Sequence, residues 1–173
     1  MSSDFISNLA RITGVVTLIV VPLALSSCQV RPLYAESTGV TAKLSSVSFS
    51  PASTRVAQEV RNQLIFIAGR GAGEPIKPLY NVTLTATAGT AGVLYLASSD
   101  TSQAGRTVVT ASFVLKNASD GKVLKAGSRS AVALVDFPTQ EFAKQRAIRD
   151  SEDRAAREAA ELVGADISAA LSR

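Results

Sequence analysis

The sequence predicts an α+β fold: a single mixed or antiparallel four-stranded sheet with two helices packed on one face, in the order β-α-β-β-β-α. Three observations carry this expectation. Apolar residues recur at three- and four-residue spacing in two separate segments, Val56 to Ala68 and Gln140 to Leu171. Between them, Tyr80 to Val135 alternates apolar and polar residues and is punctuated by glycine-containing turns. A short alternating stretch, Ala42 to Phe49, precedes the first helical pattern.

The chain begins with a segment that reads as an export signal. Residues 1–11 are polar with one basic residue, Arg11, and Ile12 to Leu25 is mostly apolar, a length suited to a signal core and too short for a spanning helix. Pro22 breaks any helix just before the end of that run. Leu25-Ser26-Ser27-Cys28 follows, and Cys28 is the only cysteine, so it has no disulfide partner within the chain. Leucine three residues before the cysteine, small residues between, and an apolar run upstream resemble the bacterial lipobox. That resemblance implies cleavage before Cys28 and acylation of its thiol and new amine. The expected organisation is a signal peptide over 1–27, a lipidated tether over 28–41 and one α+β domain over 42–173.

Composition excludes several kinds of chemistry. The chain has no histidine, and with its one cysteine committed to lipid the usual zinc ligands are missing; Ser-His-Asp and Cys-His catalysis are excluded as well. Neither metal, cofactor nor catalytic residue is expected. The net charge of +4 is too mild to argue for nucleic acid. Its excess lies in the middle of the chain, with eleven Lys/Arg against five Asp/Glu from Arg31 to Val135.

Taken in order, Leu44, Val47 and Phe49 suit a short first strand, and Ser50-Pro51 reads as a helix cap followed by proline at the first helical position. Val56, Ala57, Val60, Leu64, Ile67 and Ala68 form the apolar side of that helix, and Gly69 ends it. The glycine-rich run from Gly69 to Gly73 follows a helix, where a phosphate-cradling loop should open one, so it reads as a cap and turn. Tyr80, Val82, Leu84, Ala86 and Ala88 then share one strand face, with Asn81, Thr83, Thr85 and Thr87 on the other. Gly89 to Gly92 reads as a turn, Val93 to Ala97 as a weak extra segment, and Ser98 to Gly105 as a polar loop.

Arg106 to Lys116 and Lys122 to Val135 read as two strands joined at Asp120-Gly121. Ser119 and Lys122 also fit the Ser-x-x-Lys pattern of penicillin-binding enzymes, but that serine should open a helix and this one sits at a hairpin tip. A two-residue loop sets Lys116 opposite Lys125 and Ser112 opposite Arg129. Val109, Ala111, Phe113, Leu115, Leu124, Ala126, Val132 and Leu134 then face the helices. Arg106, Thr110, Ser112, Lys116, Lys125 and Arg129 share the opposite side, a candidate anion-binding face. Thr139 is placed to cap the last helix, whose buried side should hold Ile148, Ala155, Ala159, Leu162, Val163, Ile167, Ala170 and Leu171.

Two further motifs narrow the reading. Arg31-Pro32-Leu33-Tyr34 lies just after Cys28, and Phe142-Ala143-x-x-Arg146-Ala147-x-Arg149-Asp150 with Arg154-Ala155-Ala156-Arg157-Glu158 lies in the last helix. Together these resemble the LPS-assembly lipoprotein LptE family, most of all its alphaproteobacterial members. Gln29-Val30 departs from the Gly-Phe common in relatives, and no Asp follows Cys28 to signal inner-membrane retention. The resemblance implies a non-enzymatic lipoprotein at the periplasmic face of the outer membrane. Such a protein plugs and helps assemble the LptD β-barrel and assists lipopolysaccharide insertion into the outer leaflet. On that basis Arg106, Lys116, Lys125 and Arg129 are the candidate lipopolysaccharide contacts. A lipoprotein subunit of an ABC-type lipid-transport assembly, working through an apolar groove, is the alternative; an anchored hydrolase lacks the residues it needs.

One acyl chain binds a membrane only marginally, whereas two or more hold stably. Cys28→Ala is therefore expected to abolish lipid labelling and leave an uncleaved or soluble precursor, read by fractionation and mass. Normally acylated, processed protein from that variant would remove the premise.

Overall fold

The structure is a computed structural model that describes residues 39–96 and 101–172. By contacts the chain divides into Met1–Pro32 and Leu33–Arg173, and the described residues all belong to the second unit. The leader, Cys28, the Arg31-Pro32-Leu33-Tyr34 motif and most of the tether lie outside the described residues.

The described chain forms a four-stranded α+β fold with three helices. A one-turn helix α1 (Val40–Leu44) leads into strand β1 (Val47–Phe49). Helix α2 (Arg55–Gly69) follows, then three long strands, β2 (Tyr80–Leu96), β3 (Thr101–Asn117) and β4 (Val123–Asp136), and the long helix α3 (Glu141–Leu171). The sheet order is β1-β2-β3-β4, with β1 parallel to β2 and the other pairs antiparallel.

The expected first strand, Ala42 to Phe49, is thus half helix. Val40 and Leu44 stand four residues apart and are both buried, one helical turn's worth of apolar face, so only Val47 to Phe49 is left to pair. Lys43 Nζ donates to the carbonyl of Leu171 at 2.7 Å and ties α1 to the end of α3. Val40 and Leu44 thus belong to the core of the described residues.

Helix α2 starts later than Ser50-Pro51 suggests. Ser50 stays with the sheet, where its N–H donates to the carbonyl of Val82 at 2.9 Å and its Oγ accepts from the N–H of Leu84 at 2.9 Å. Thr54 caps instead, its Oγ1 accepting from the N–H of Ala57 at 3.1 Å. At the other end Gly69 closes the helix and Arg70 takes the left-handed conformation, with φ of 50°.

The largest departure is at Gly89 to Gly92, which does not turn. Strand β2 runs straight through it, with Gly89 opposite Val108 and Gly92 opposite Gly105. Of the expected weak extra segment, Val93 to Leu96 is the far end of β2, and of the expected polar loop, Thr101 to Gly105 is the start of β3; residues 97–100 lie outside the described residues. The pattern was obscured because a polar residue, Thr90, sits on the inner face. Its hydroxyl lies 2.8 Å from that of Thr107, which lies 2.7 Å from that of Ser151 on α3. The Ser151 hydroxyl in turn donates to the carbonyl of Ile148 at 2.7 Å. At Gly105 a Cβ would sit 2.2 Å from the Phe137 ring, so any side chain there would require the ring to move.

Helix α3 begins after Gln140 with no side-chain cap, so Thr139 does not play that part. Its buried row is Ser151, Ala155, Ala156, Ala159, Ala160, Val163, Gly164, Ile167, Ser168 and Leu171. Leu162, expected inside, is exposed. The helix has turned its small residues inward because alanine, serine and glycine let its backbone come close to its neighbours. Phe113, Leu64, Leu115 and Ile167 fill the space between the layers.

Ser151 and Thr107 are both fully buried, so their hydroxyls have only each other, Thr90 and Ile148 to bond. Ser151→Ala is expected to destabilise the fold by about 0.5–1.5 kcal/mol in urea titration, because it removes one of the two hydrogen bonds of the buried Thr107 hydroxyl and leaves it with Thr90 alone. Adding Thr107→Val should cost less than the sum of the single changes, since the pair is then removed together.

Candidate interface on the open sheet face

Both long helices lie on the face that carries Val82, Leu84, Ala86, Val109, Ala111, Phe113, Leu115, Ala131 and Ala133, all buried. Side chains alternate across a strand, so the residues between them point the other way. Among the described residues no element covers that second face.

Its centre is made of hydroxyls. Thr85, Ser112 and Ser128 form one row across three strands, and Thr87, Thr110 and Ser130 form the next. Strands stand about 4.8 Å apart and same-face residues about 7 Å along a strand, so six hydroxyls occupy a patch roughly 10 Å by 7 Å. Thr110 and Ser130 share a hydrogen bond of 2.8 Å, and Ser112 donates to Ser128 at 3.0 Å. Thr83 extends the patch toward one end, with Val114 and Ala126 beside it. At the other end the face turns apolar, through Val108, Val132 and Leu134, the last 68% exposed.

The four candidate cations are not gathered on this face. Arg106 lies on it opposite Leu134, and Lys116 lies on it opposite Val123, ten positions away along β3. Lys125 pairs with Leu115 and Arg129 with Ala111, which puts both on the helix side. The cause is one residue. The β3–β4 loop closes between Asn117 and Lys122, whose carbonyl accepts from the N–H of Asn117 at 3.0 Å. Asp120 Oδ1 accepts from the N–H of Lys122 at 3.0 Å, and Gly121 supplies a φ of 69°. That four-residue loop alone would have kept the expected faces. The register then shifts between Leu115 and Lys116, with Leu124 as the extra residue, and every later side chain of β4 changes sides. Val132 and Leu134 are exposed as a result, while Ala131, Ala133 and Val135 are buried.

The shifted register gives Arg129 a partner. Its Nε and Nη2 donate to the two carboxylate oxygens of Asp166 on α3, each at 2.7 Å. The hydrogen bond from Arg129 holds the Asp166 carboxyl below its ordinary range, against a smaller opposing push from burial, and the charges of Arg129 and Lys125 add to the lowering. Other charges on the helix side are also paired: Arg55 with Glu152 and Asp153, Arg61 with Glu74, and Arg157 with Glu59 at 2.8 Å. The uncovered face is therefore nearly neutral at its centre, with one cation toward each end. The serines of β4 belong to this surface, and sequence reasoning placed Ser112 and Thr110 there without them. The bulge that moves them leaves no composition signal.

A mixed sheet with two long helices on one side and, among the described residues, a bare hydroxyl face on the other defines an α+β domain with one open sheet face. The LptE (lipopolysaccharide-assembly) family model matches residues 42–167, and the chain belongs to that family. It is thus a lipoprotein-family domain with a role in lipopolysaccharide assembly. Solved structures share the fold. A Caulobacter crescentus chain assigned as a lipoprotein is 22% identical with a TM-score of 0.63, over 77% of this chain and 96% of that one. Rare lipoprotein B from Shewanella oneidensis is 10% identical with a TM-score of 0.54, over 71% and 92%. A minor lipoprotein from Acinetobacter baumannii is 13% identical with a TM-score of 0.53, over 71% and 88%. No curated protein matches the sequence.

The Arg129–Asp166 pair makes a pH prediction. Because the folded carboxyl titrates below the unfolded one, near 4, its stabilisation is present at neutral pH and is lost as pH falls through the folded value. Asp166→Asn should melt at a lower temperature than the parent at pH 7, and the gap should close in acid. A gap that stays constant down to pH 2.5 would mean the carboxylate contributes nothing.

Proposed function

We propose that this chain is an outer-membrane lipoprotein, anchored at the periplasmic face through Cys28, whose uncovered sheet face packs inside the lumen of an LptD-type β-barrel. There it supports assembly of the barrel and assists passage of lipopolysaccharide to the outer leaflet. The role is one of binding and scaffolding, with no catalytic step. The observation that carries the reading is the hydroxyl patch of Thr85, Thr87, Thr110, Ser112, Ser128 and Ser130 on a face that no helix covers among the described residues.

A barrel lumen is polar and enclosed. A plug must therefore be wettable yet free of strong charge, and short hydroxyl side chains meet both needs: they exchange hydrogen bonds with many partners and bring the two surfaces close. For the lipid, the shifted register favours Arg106 and Lys116, which stay on the uncovered face, over Lys125 and Arg129. Arg106 stands next to exposed Leu134 and Lys116 next to exposed Val123, each a cation beside apolar surface, as an anionic amphiphile requires. Arg129 is occupied by Asp166, and Lys125 stands beside the same carboxylate.

Photocrosslinking residues at Thr85 and Ser112 are expected to capture one large membrane β-barrel in intact cells, while the same probe at Glu161, exposed on α3, captures none. Recovery of only periplasmic components of a lipid-transport assembly would overturn the barrel reading. Arg106→Glu should weaken lipopolysaccharide binding roughly fivefold at low salt and less at high salt. Arg129→Glu should instead lower thermal stability by breaking the pair with Asp166; a larger binding loss at Arg129 would reverse the assignment.

A further inference from the structure

The two edges of the sheet are treated differently. Strand β4 carries the usual defences of an edge: Lys125, Arg129 and Asp136 along its length, and an Arg154 Nη2 that donates to the carbonyl of Leu134 at 3.1 Å. The other edge is β2 beyond the reach of β1. From Asn81 to Leu96 it contains no charged residue and no proline. Such a strand, left open, is a template for pairing.

The backbone groups that face this edge can be named. Val82 offers its carbonyl to Ser50 and Leu84 its N–H to the Ser50 hydroxyl, so even-numbered residues of β2 point toward the β1 side. The carbonyl of Leu79 accepts from Ala118, so odd-numbered residues point toward β3. Past Leu84, the edge groups belong to Ala86, Ala88, Thr90 and Gly92, after which the register shifts. Ala88 and Gly89, in the middle of that set, are exposed.

We propose that this edge pairs with the same edge of a second copy of this chain, in antiparallel fashion about a twofold axis at Gly89. Ala86 is buried, so the accessible edge groups centre on Ala88 and Thr90, which are symmetric about residue 89. Ala88 therefore meets Thr90 of the second copy, in both directions, which closes roughly four main-chain hydrogen bonds. The neutrality of the strand matters here, since any charge on it would face or flank its own copy in a symmetric pair. The side chains at the join are hydrogen, methyl or hydroxyl-bearing, so nothing bulky holds the backbones apart. A closed barrel has no free strand to offer this edge; a second copy offers one of equal length and equal neutrality. The pair is the state of the lipoprotein away from its barrel. It goes beyond the barrel-plug reading and rests only on edge geometry, so either can fail without the other.

The test uses Gly89→Cys in the full-length, membrane-expressed protein. Gly89 does not have a positive φ and a Cβ there meets nothing within 4 Å, so the substitution fits the chain. On the axis, residue 89 and its copy form a non-hydrogen-bonded pair with Cα atoms about 4.5 Å apart, inside the range of about 4.4–6.8 Å that a disulfide spans. Mild oxidation should give a species of twice the chain mass, reversed by reductant and absent from the parent, whose Cys28 serves as control. Adding Ala88→Pro removes an N–H that points outward from the sheet and leaves the β2–β3 ladder intact, so the crosslink should fall at least tenfold with unchanged far-UV circular dichroism. Ala88→Lys, which adds an edge charge and no backbone change, should act likewise. Absence of the doubled species, its persistence in both Ala88 variants, or a crosslink to a different, larger membrane protein overturns the proposal.

Discussion

The fold depends on how closely the long helix α3 can lie in the groove between the sheet and α2. Ala155, Ala156, Ala159 and Ala160 are completely buried, and Gly164 is buried beside α2, where a Cβ added to it would meet Ile67 and Leu64 at ordinary contact distance. Small side chains bring backbones together and multiply weak dispersion contacts, but they form a smooth seam with few knobs to set its position. The chain of hydroxyls from Thr90 through Thr107 and Ser151 to the carbonyl of Ile148 supplies the missing registration. Each link needs a donor and an acceptor at one distance, so sliding α3 along the sheet would leave buried polar groups unbonded. Among the described residues no buried side-chain polar atom lacks a partner.

That arrangement commits both long helices to one face and leaves the other bare. A bare face on a sheet is tolerated when it is wettable, and here threonine and serine keep it so, while their branched or short side chains still suit extended backbone. The strands are long, and β2 and β3 remain paired beyond the end of β4. A hydroxyl-bearing surface is the product of the same packing that makes the core. The proposed docking surface is thus what the core leaves uncovered.

Much of this was legible in the sequence. The α+β class, the two long helices, the alternation of β2 around Thr83, Thr85 and Thr87, and the cap at Gly69 all follow from local periodicity and turn chemistry, which survive in the fold. What was not legible depended on contacts distant in sequence. Thr90 broke the alternation because its partners are Thr107 and, through it, Ser151, so the Gly89 to Gly92 stretch looked like a turn. The faces of β4 depended on whether one residue, Leu124, is paired or bulged, and apolar residues of both parities gave alternation no basis for choosing. Burial of Ala131 and Ala133 under the helices, with Arg129 meeting Asp166, decides it; both need α3 in place.

The bulge also changes what kind of surface the protein presents. Had Lys116 and Lys125 stood opposite one another, the face would have carried clustered charge, and any partner would have needed to neutralise it. With Lys125 and Arg129 turned toward Asp166, positive charge on that side is met within the chain, and the helix flank is stitched by Arg55, Arg61 and Arg157 to their own carboxylates. The central outer face is left to hydrogen bonding and shape. A neutral surface of this kind can enter a confined polar space without the desolvation cost of a buried charge, which rises steeply as water is excluded. Cations remain only toward the ends of the strands, Arg106 at one and Lys116 at the other, where solvent access keeps that cost low. The one-residue register shift thus separates the proposed neutral docking surface from the charges at its rim.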